Sequence, residues 1–179
     1  MEGKQMNRRP LALFLSPLLV AWVSLLVASG LFPTSAHCGE YLHEGTPVFR
    51  VVYPDNMTTH PENPRNLPLR LGTNGSLPIL EANVLDIPEN AQIETISERV
   101  RENASKATGS DVEIKSEEMI TLACGTPARA TLLGFLFQGW MPLDIYVVSA
   151  FKDEKWVNVQ VIQSDGQGIT EPAKSLEFK

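Results

Sequence analysis

From Ile120 to Gln163 the chain reads I-T-L-A-C-G-T-P-A-R-A-T-L-L-G-F-L-F-Q-G-W-M-P-L-D-I-Y-V-V-S-A-F-K-D-E-K-W-V-N-V-Q-V-I-Q. β-Branched and aromatic runs are separated here by Gly-Thr-Pro, Gln-Gly and Lys-Asp-Glu-Lys, so apolar density and turn chemistry agree on a meander of consecutive antiparallel strands. Leu143 to Phe151 alternates Leu143, Ile145, Val147, Ser149 and Phe151 on one face against Asp144, Tyr146, Val148, Ala150 and Lys152 on the other. After the short polar connection Lys152 to Lys155, a hairpin length, Trp156 to Gln163 returns with Val157, Val159 and Val161 on one side and Asn158 and Gln160 on the other. That alternation is what an antiparallel pair with one wet face requires.

The flanking segments supply the rest of an α+β domain. Thr46 to Tyr53 has strand composition and stops at Pro54-Asp55-Asn56; Asp55 to Ser76, rich in Pro and Asn, is expected as a long loop with a short extended piece at Leu67 to Leu71. Leu77 to Ile87 follows as a strand ended by Pro88. Glu89 to Ala107 is the best helix, because Ile93, Ile96, Val100, Ala104 and Ala107 recur at spacings of three and four and Thr108-Gly109 stops it. Asp111 to Lys115 and Met119 to Cys124 are two short strand candidates, and Thr170 to Leu176 a short terminal helix. With no strand-helix-strand alternation, the expected fold is a twisted antiparallel sheet flanked by helices.

Residues 1–36 are set apart from that domain. Lys4, Arg8 and Arg9 precede the apolar run Leu11 to Phe32, and Thr34-Ser35-Ala36 offers the small residues of a cleavage site. Cleavage after Ala36 is the first reading, a lipid on Cys38 the second, and an uncleaved anchor the third, since about 20 apolar residues span a bilayer. All three predict an extracytoplasmic domain: a tail at 37–45 and a folded unit at 46–179. Three basic side chains and one acidic one leave with the segment, so the mature chain is more acidic than the formal charge of −6 of the whole. Nucleic acid and anionic lipid surfaces call for the opposite charge. Membrane contact is therefore expected only through the N-terminal segment or a lipid on Cys38.

Chemistry-bearing residues are sparse. His37, His43 and His60 all precede the meander, and no cofactor motif is present. His37, Cys38 and His43 form the one metal-like cluster, weighed against a disordered tail. Cys38 and Cys124 are candidates for one bridge in a compartment where disulfides persist. A thiol hydrolase around Cys124 would need a histidine brought to it by the fold. Trp140, Trp156, Tyr146, Phe135 and Phe137 could line a surface for a partner or an apolar ligand, or could be core.

Three local features carry a resemblance. A strand ends in Tyr53-Pro54, Gly125-Thr126-Pro127-Ala128 steps into the long hairpin whose tip is Phe151 to Trp156, and the chain end reads Ala173-Lys174-Ser175-Leu176-Glu177-Phe178. Over Thr46 to Lys179 the chain resembles the PsbP/DcrB-like family. The resemblance implies an α/β/α sandwich and a non-enzymatic envelope protein that binds a partner protein or assists assembly. A carrier with a small apolar ligand held between sheet and helix is the alternative.

Overall fold

The computed structural model describes residues 38–74 and 76–179. The expected export segment and His37 lie outside the described residues. In chain order the strands are β1 (Cys38–His43), β2 (Phe49–Pro54), β3 (Thr58–Thr59), β4 (Leu69–Thr73), β5 (Ser76–Asp86), β6 (Val112–Thr121), β7 (Pro127–Phe137), β8 (Met141–Lys152), β9 (Lys155–Ser164) and β10 (Glu177–Phe178). The helices are α1 (Ile96–Thr108), entered through a 3₁₀ turn at Ile93–Thr95, and α2 (Glu171–Lys174). Seven strands form one sheet in the order β3-β4-β5-β9-β8-β7-β6, and three form a second in the order β1-β2-β10. Every pairing is antiparallel. The predicted meander is present as β6 to β9, each strand bonded to the next.

The large sheet is covered on both faces, which is why β8 is buried at successive residues from Leu143 to Ala150 and has no wet side. On one face α1 sets Ile96 and Val100 against Val112, Leu133, Phe135, Ile145, Val147 and Trp156. Each fully buried residue of the size of Leu133 contributes about 2 kcal/mol by leaving water. On the other face Phe49 and Val51 of β2, Phe178 of β10, and Ala173 and Leu176 at α2 close over Tyr146, Val148, Ala150, Val157 and Val159. The expected α/β/α layering is thus realised on one side by a helix. The second side is mostly the small sheet, with a four-residue helix beside it. Among the described residues no helix is long and apolar enough to cross a membrane.

Several boundaries differ from the sequence expectation. Residues 38–43, expected as tail, are a strand whose whole length pairs with β2. The helix starts seven residues later than Glu89, because Asn90 sits at φ 60 and Gln92 is extended, which interrupts helical backbone. Ala107 is exposed and Ser97 takes a buried place in the stripe, bonded to Thr131 Oγ1 at 2.8 Å. The two strand candidates around residue 117 are one strand, β6, with a bulge at Lys115 between the Ile114↔Leu133 and Ser116↔Leu132 pairs. The Asp55 to Ser76 loop is tied down: it contains β3 and β4, Asn63 brackets Leu67 through two hydrogen bonds, and Arg65 reaches the buried Glu81.

Candidate partner-binding surface

The β7–β8 hairpin outruns its neighbours. β7 and β8 stay paired as far as Phe137↔Met141, whereas β6 begins at Val112↔Phe135 and β9 ends at Leu143↔Ser164. Residues 136–142 therefore extend past the paired ends of both flanking strands; Met141 turns back onto the α1-side core, while Leu136, Phe137 and Trp140 have little to pack against. Leu136, Phe137 and Trp140 are 52%, 39% and 67% exposed there. The turn between them holds Gln138 at φ 52 and Gly139 at φ 77. A glutamine in the left-handed region costs about 1 kcal/mol, so the protein sustains strain at the point that sends Trp140 into solvent. Ser110, just beyond α1, donates its hydroxyl to the Leu136 carbonyl at 3.2 Å and fixes the base of the tip.

Beside the tip, on the β6 side, opens a cleft of about 710 Å³ whose walls include Asp111, Glu113, Lys115, Leu136, Pro142 and Asp165. The bulge at Lys115 sends its side chain across Gly134, where the ammonium donates to Asp144 Oδ1 at 2.7 Å and Asp165 Oδ1 at 2.5 Å. Asp144, nearly buried, also accepts the Gly166 N–H at 3.1 Å. These hydrogen bonds push the Lys115 amine well above its usual range and hold the Asp165 carboxyl below its own. Lys115 is the only cation among the described lining residues, and it is already shared by two carboxylates, so the cleft is electronegative.

No family model matches the chain, and no curated protein matches it in sequence. Solved structures do match its shape. Cyanobacterial PsbP (CyanoP) from Synechocystis sp. PCC 6803 superposes with a TM-score of 0.62 at 10% identity, covering 82% of this chain and 95% of that chain. The chain has a PsbP-like fold. The Saccharomyces cerevisiae Ran-binding protein Mog1p shares it with a TM-score of 0.56 at 13% identity, covering 79% of this chain and 88% of that one. The resemblance drawn from Tyr53-Pro54, the Gly125 to Ala128 step and the chain end is thus a likeness of fold.

Within this PsbP-like fold the five aromatic candidates separate into two groups. Trp156, Tyr146 and Phe135 are buried, at 2%, 7% and 8% exposure, while Phe137 and Trp140 reach the surface with Leu136, which the sequence reading did not single out. The interface between α1 and the sheet is occupied by Ile96, Val100, Leu133, Phe135, Val147 and Trp156, and the cleft opens past the end of α1.

The other candidates are not brought together. Cys38 and His43 stand at opposite ends of β1, roughly 16 Å apart, and their odd separation puts them on opposite faces. The His43 Nδ1 instead lies 3.3 Å from the Tyr41 hydroxyl, within hydrogen-bond distance, and its ring lies against Phe49, with centroids 4.8 Å apart. His37 lies outside the described residues. Among the described residues no three His, Cys, Asp or Glu side chains gather as metal ligands would. No disulfide joins Cys38 and Cys124. Cys38 pairs with Pro54, whereas Cys124 meets the main chain of Phe178, which pairs with Phe49 at the other end of β2. A bridge needs Cα atoms within about 7 Å, and a six-residue strand keeps its ends farther apart than that. The Cys124 thiol has Thr126 Oγ1 at 3.4 Å as its side-chain partner, which supplies no base.

Proposed function

We propose that the protein is a non-enzymatic extracytoplasmic domain that binds a partner protein through the overhanging β7–β8 tip. The observation that carries this reading is the cluster of Leu136, Phe137 and Trp140 held clear of both neighbouring strands. Clustered exposed apolar groups mark interaction surfaces, and tryptophan is enriched among the residues that anchor them. A PsbP-like scaffold that in Mog1p belongs to a Ran-binding protein supports a binding role. The apolar run Leu11 to Phe32 followed by Thr34-Ser35-Ala36 supports export.

Site-specific photo-cross-linking in the native host tests it. A cross-linker at residue 140 captures a discrete protein that one at Asn103, on the exposed face of α1, does not. Identical products from both positions, or none from 140, sink the proposal.

A further inference from the structure

We infer that the segment bound at the tip is basic as well as apolar: its Lys or Arg side chains enter the cleft beside Asp111, Glu113 and Asp165 while its apolar side chains cover Trp140, Phe137 and Leu136. This rests on the reading of the tip as a partner-binding surface and adds the chemistry of the partner. The two halves of the surface are continuous, since Leu136 and Pro142 line the cleft and belong to the overhang.

Charge selects among three occupants. An exposed Trp-Phe-Leu tip suits a bilayer interface, but here it is rimmed by carboxylates that anionic lipid headgroups repel. A second copy would bring another net-acidic chain against the same carboxylates. A cationic, apolar protein segment meets both halves with complementary chemistry, and its approach is steered by the formal charge of −6. The Lys115 ammonium does not oppose it, because Asp144 and Asp165 hold that charge in place.

The test uses the purified full chain, tryptophan emission, and three capped hexapeptides alternating Lys-Leu, Glu-Leu or Lys-Ser. Phosphatidylglycerol vesicles serve as the lipid probe. The Lys-Leu peptide is expected to shift the emission of Trp140 to the blue and to bind about tenfold or more tighter than the other two, with affinity falling as salt rises. Trp140→Ala abolishes the shift. The double change Asp111→Asn with Glu113→Gln weakens binding about tenfold while leaving the melting temperature in place. Equal binding of the Glu-Leu peptide, still lost in Trp140→Ala, overturns the basic-partner inference and leaves the tip reading standing. No shift with any peptide also overturns it, as does binding confined to vesicles or a Trp140-dependent self-association. Loss of the cross-linked product at residue 140 would instead remove the tip reading itself.

Discussion

The side chain of Lys115 lies flat across Gly134 on its way to Asp144, and a methyl group at residue 134 would occupy the space of Lys115 Cδ, Cε and Nζ. Gly134 is therefore small so that a residue on the edge strand can reach a carboxylate two strands away. Asp144 is buried, and Lys115→Ala leaves it with the Gly166 N–H. Because Lys115 is itself about one-third exposed, the expected loss is about 2 kcal/mol, less than for a fully buried pair. Gly134→Ala displaces the lysine and costs a similar amount in the wild-type background. In the Lys115→Ala background it costs almost nothing. Urea midpoints of the two single variants and the double decide this, and additive losses would show that Gly134 matters for another reason.

Tyr146 lies within the sheet core, and burial, then the carboxylates of Glu118 and Glu171, pushes its phenol up to about 12. A group whose folded value lies above its unfolded one, about 10, gives stability that is complete below the unfolded value and lost as pH rises through the folded value. Stability is thus expected to fall between about pH 10 and 12, with phenolate absorbance from Tyr146 rising alongside unfolding. The buried hydroxyl has no hydrogen-bond partner, so Tyr146→Phe should flatten this alkaline fall. It should also be neutral or gain up to about 1 kcal/mol at neutral pH. An unchanged alkaline profile in the phenylalanine variant would place the transition elsewhere.

What the sequence made legible follows from how local each cause is. The β8–β9 hairpin was legible because alternation and the Lys152 to Lys155 turn lie within a short stretch, and Asp153 and Glu154 at φ 51 and 60 close it as a tight hairpin turn. Of the small sheet only β2 was, within Thr46 to Tyr53: C-G-E-Y-L-H has no strand pattern of its own and becomes β1 by pairing with β2, which pairs in turn with two residues at the chain end. The continuity of β6 through Lys115-Ser116-Glu117-Glu118 depends on Lys115 finding Asp144 and Glu117 finding Arg129 at 2.7 Å, both from later strands. The surface suffered the same limit. Phe135 and Phe137 are alike in sequence, and their different exposure comes from where β6 begins.

Glu81 is 1% exposed and is the anchor of the 55–68 segment. Its Oε2 accepts Arg65 Nη2 at 2.6 Å and Gln160 Nε2 at 2.5 Å; Arg70 Nη1 lies 3.2 Å from Oε1, as a charge contact out of hydrogen-bonding alignment. Glu81→Gln leaves Arg70 without a counter-charge and should cost about 3 kcal/mol. Arg65 is 47% exposed, so Arg65→Ala should cost about 1 kcal/mol or less. Its main effect is to free the segment. Hydrogen exchange across residues 60–68 should quicken in Arg65→Ala while β8 stays protected, and uniform exchange throughout the chain would refute the anchor.

Cys124 sits in the tight turn that joins β6 to β7, where Leu122 N–H donates to the Thr126 carbonyl and Gly125 N–H to that of Leu122. Burial raises the thiol, but hydrogen bonding with the Thr126 side chain and with the main chain at Phe178, Thr126 and Cys124 outweighs it and holds the value below the usual one. The exposed sulfur should therefore alkylate in the native state several-fold faster than in the urea-unfolded chain at neutral pH. Thr126→Val should remove part of that advantage. The same mass spectra read the amino terminus, where a chain beginning at His37 is expected, distinct in mass from one lipidated on Cys38 or one retaining residues 1–36. Because β2 separates the two cysteines, the native mass should show both sulfurs reduced. A mass short by two hydrogens, with Cys124 unreactive, would mean that β1 does not pair with β2 along the register Cys38↔Pro54.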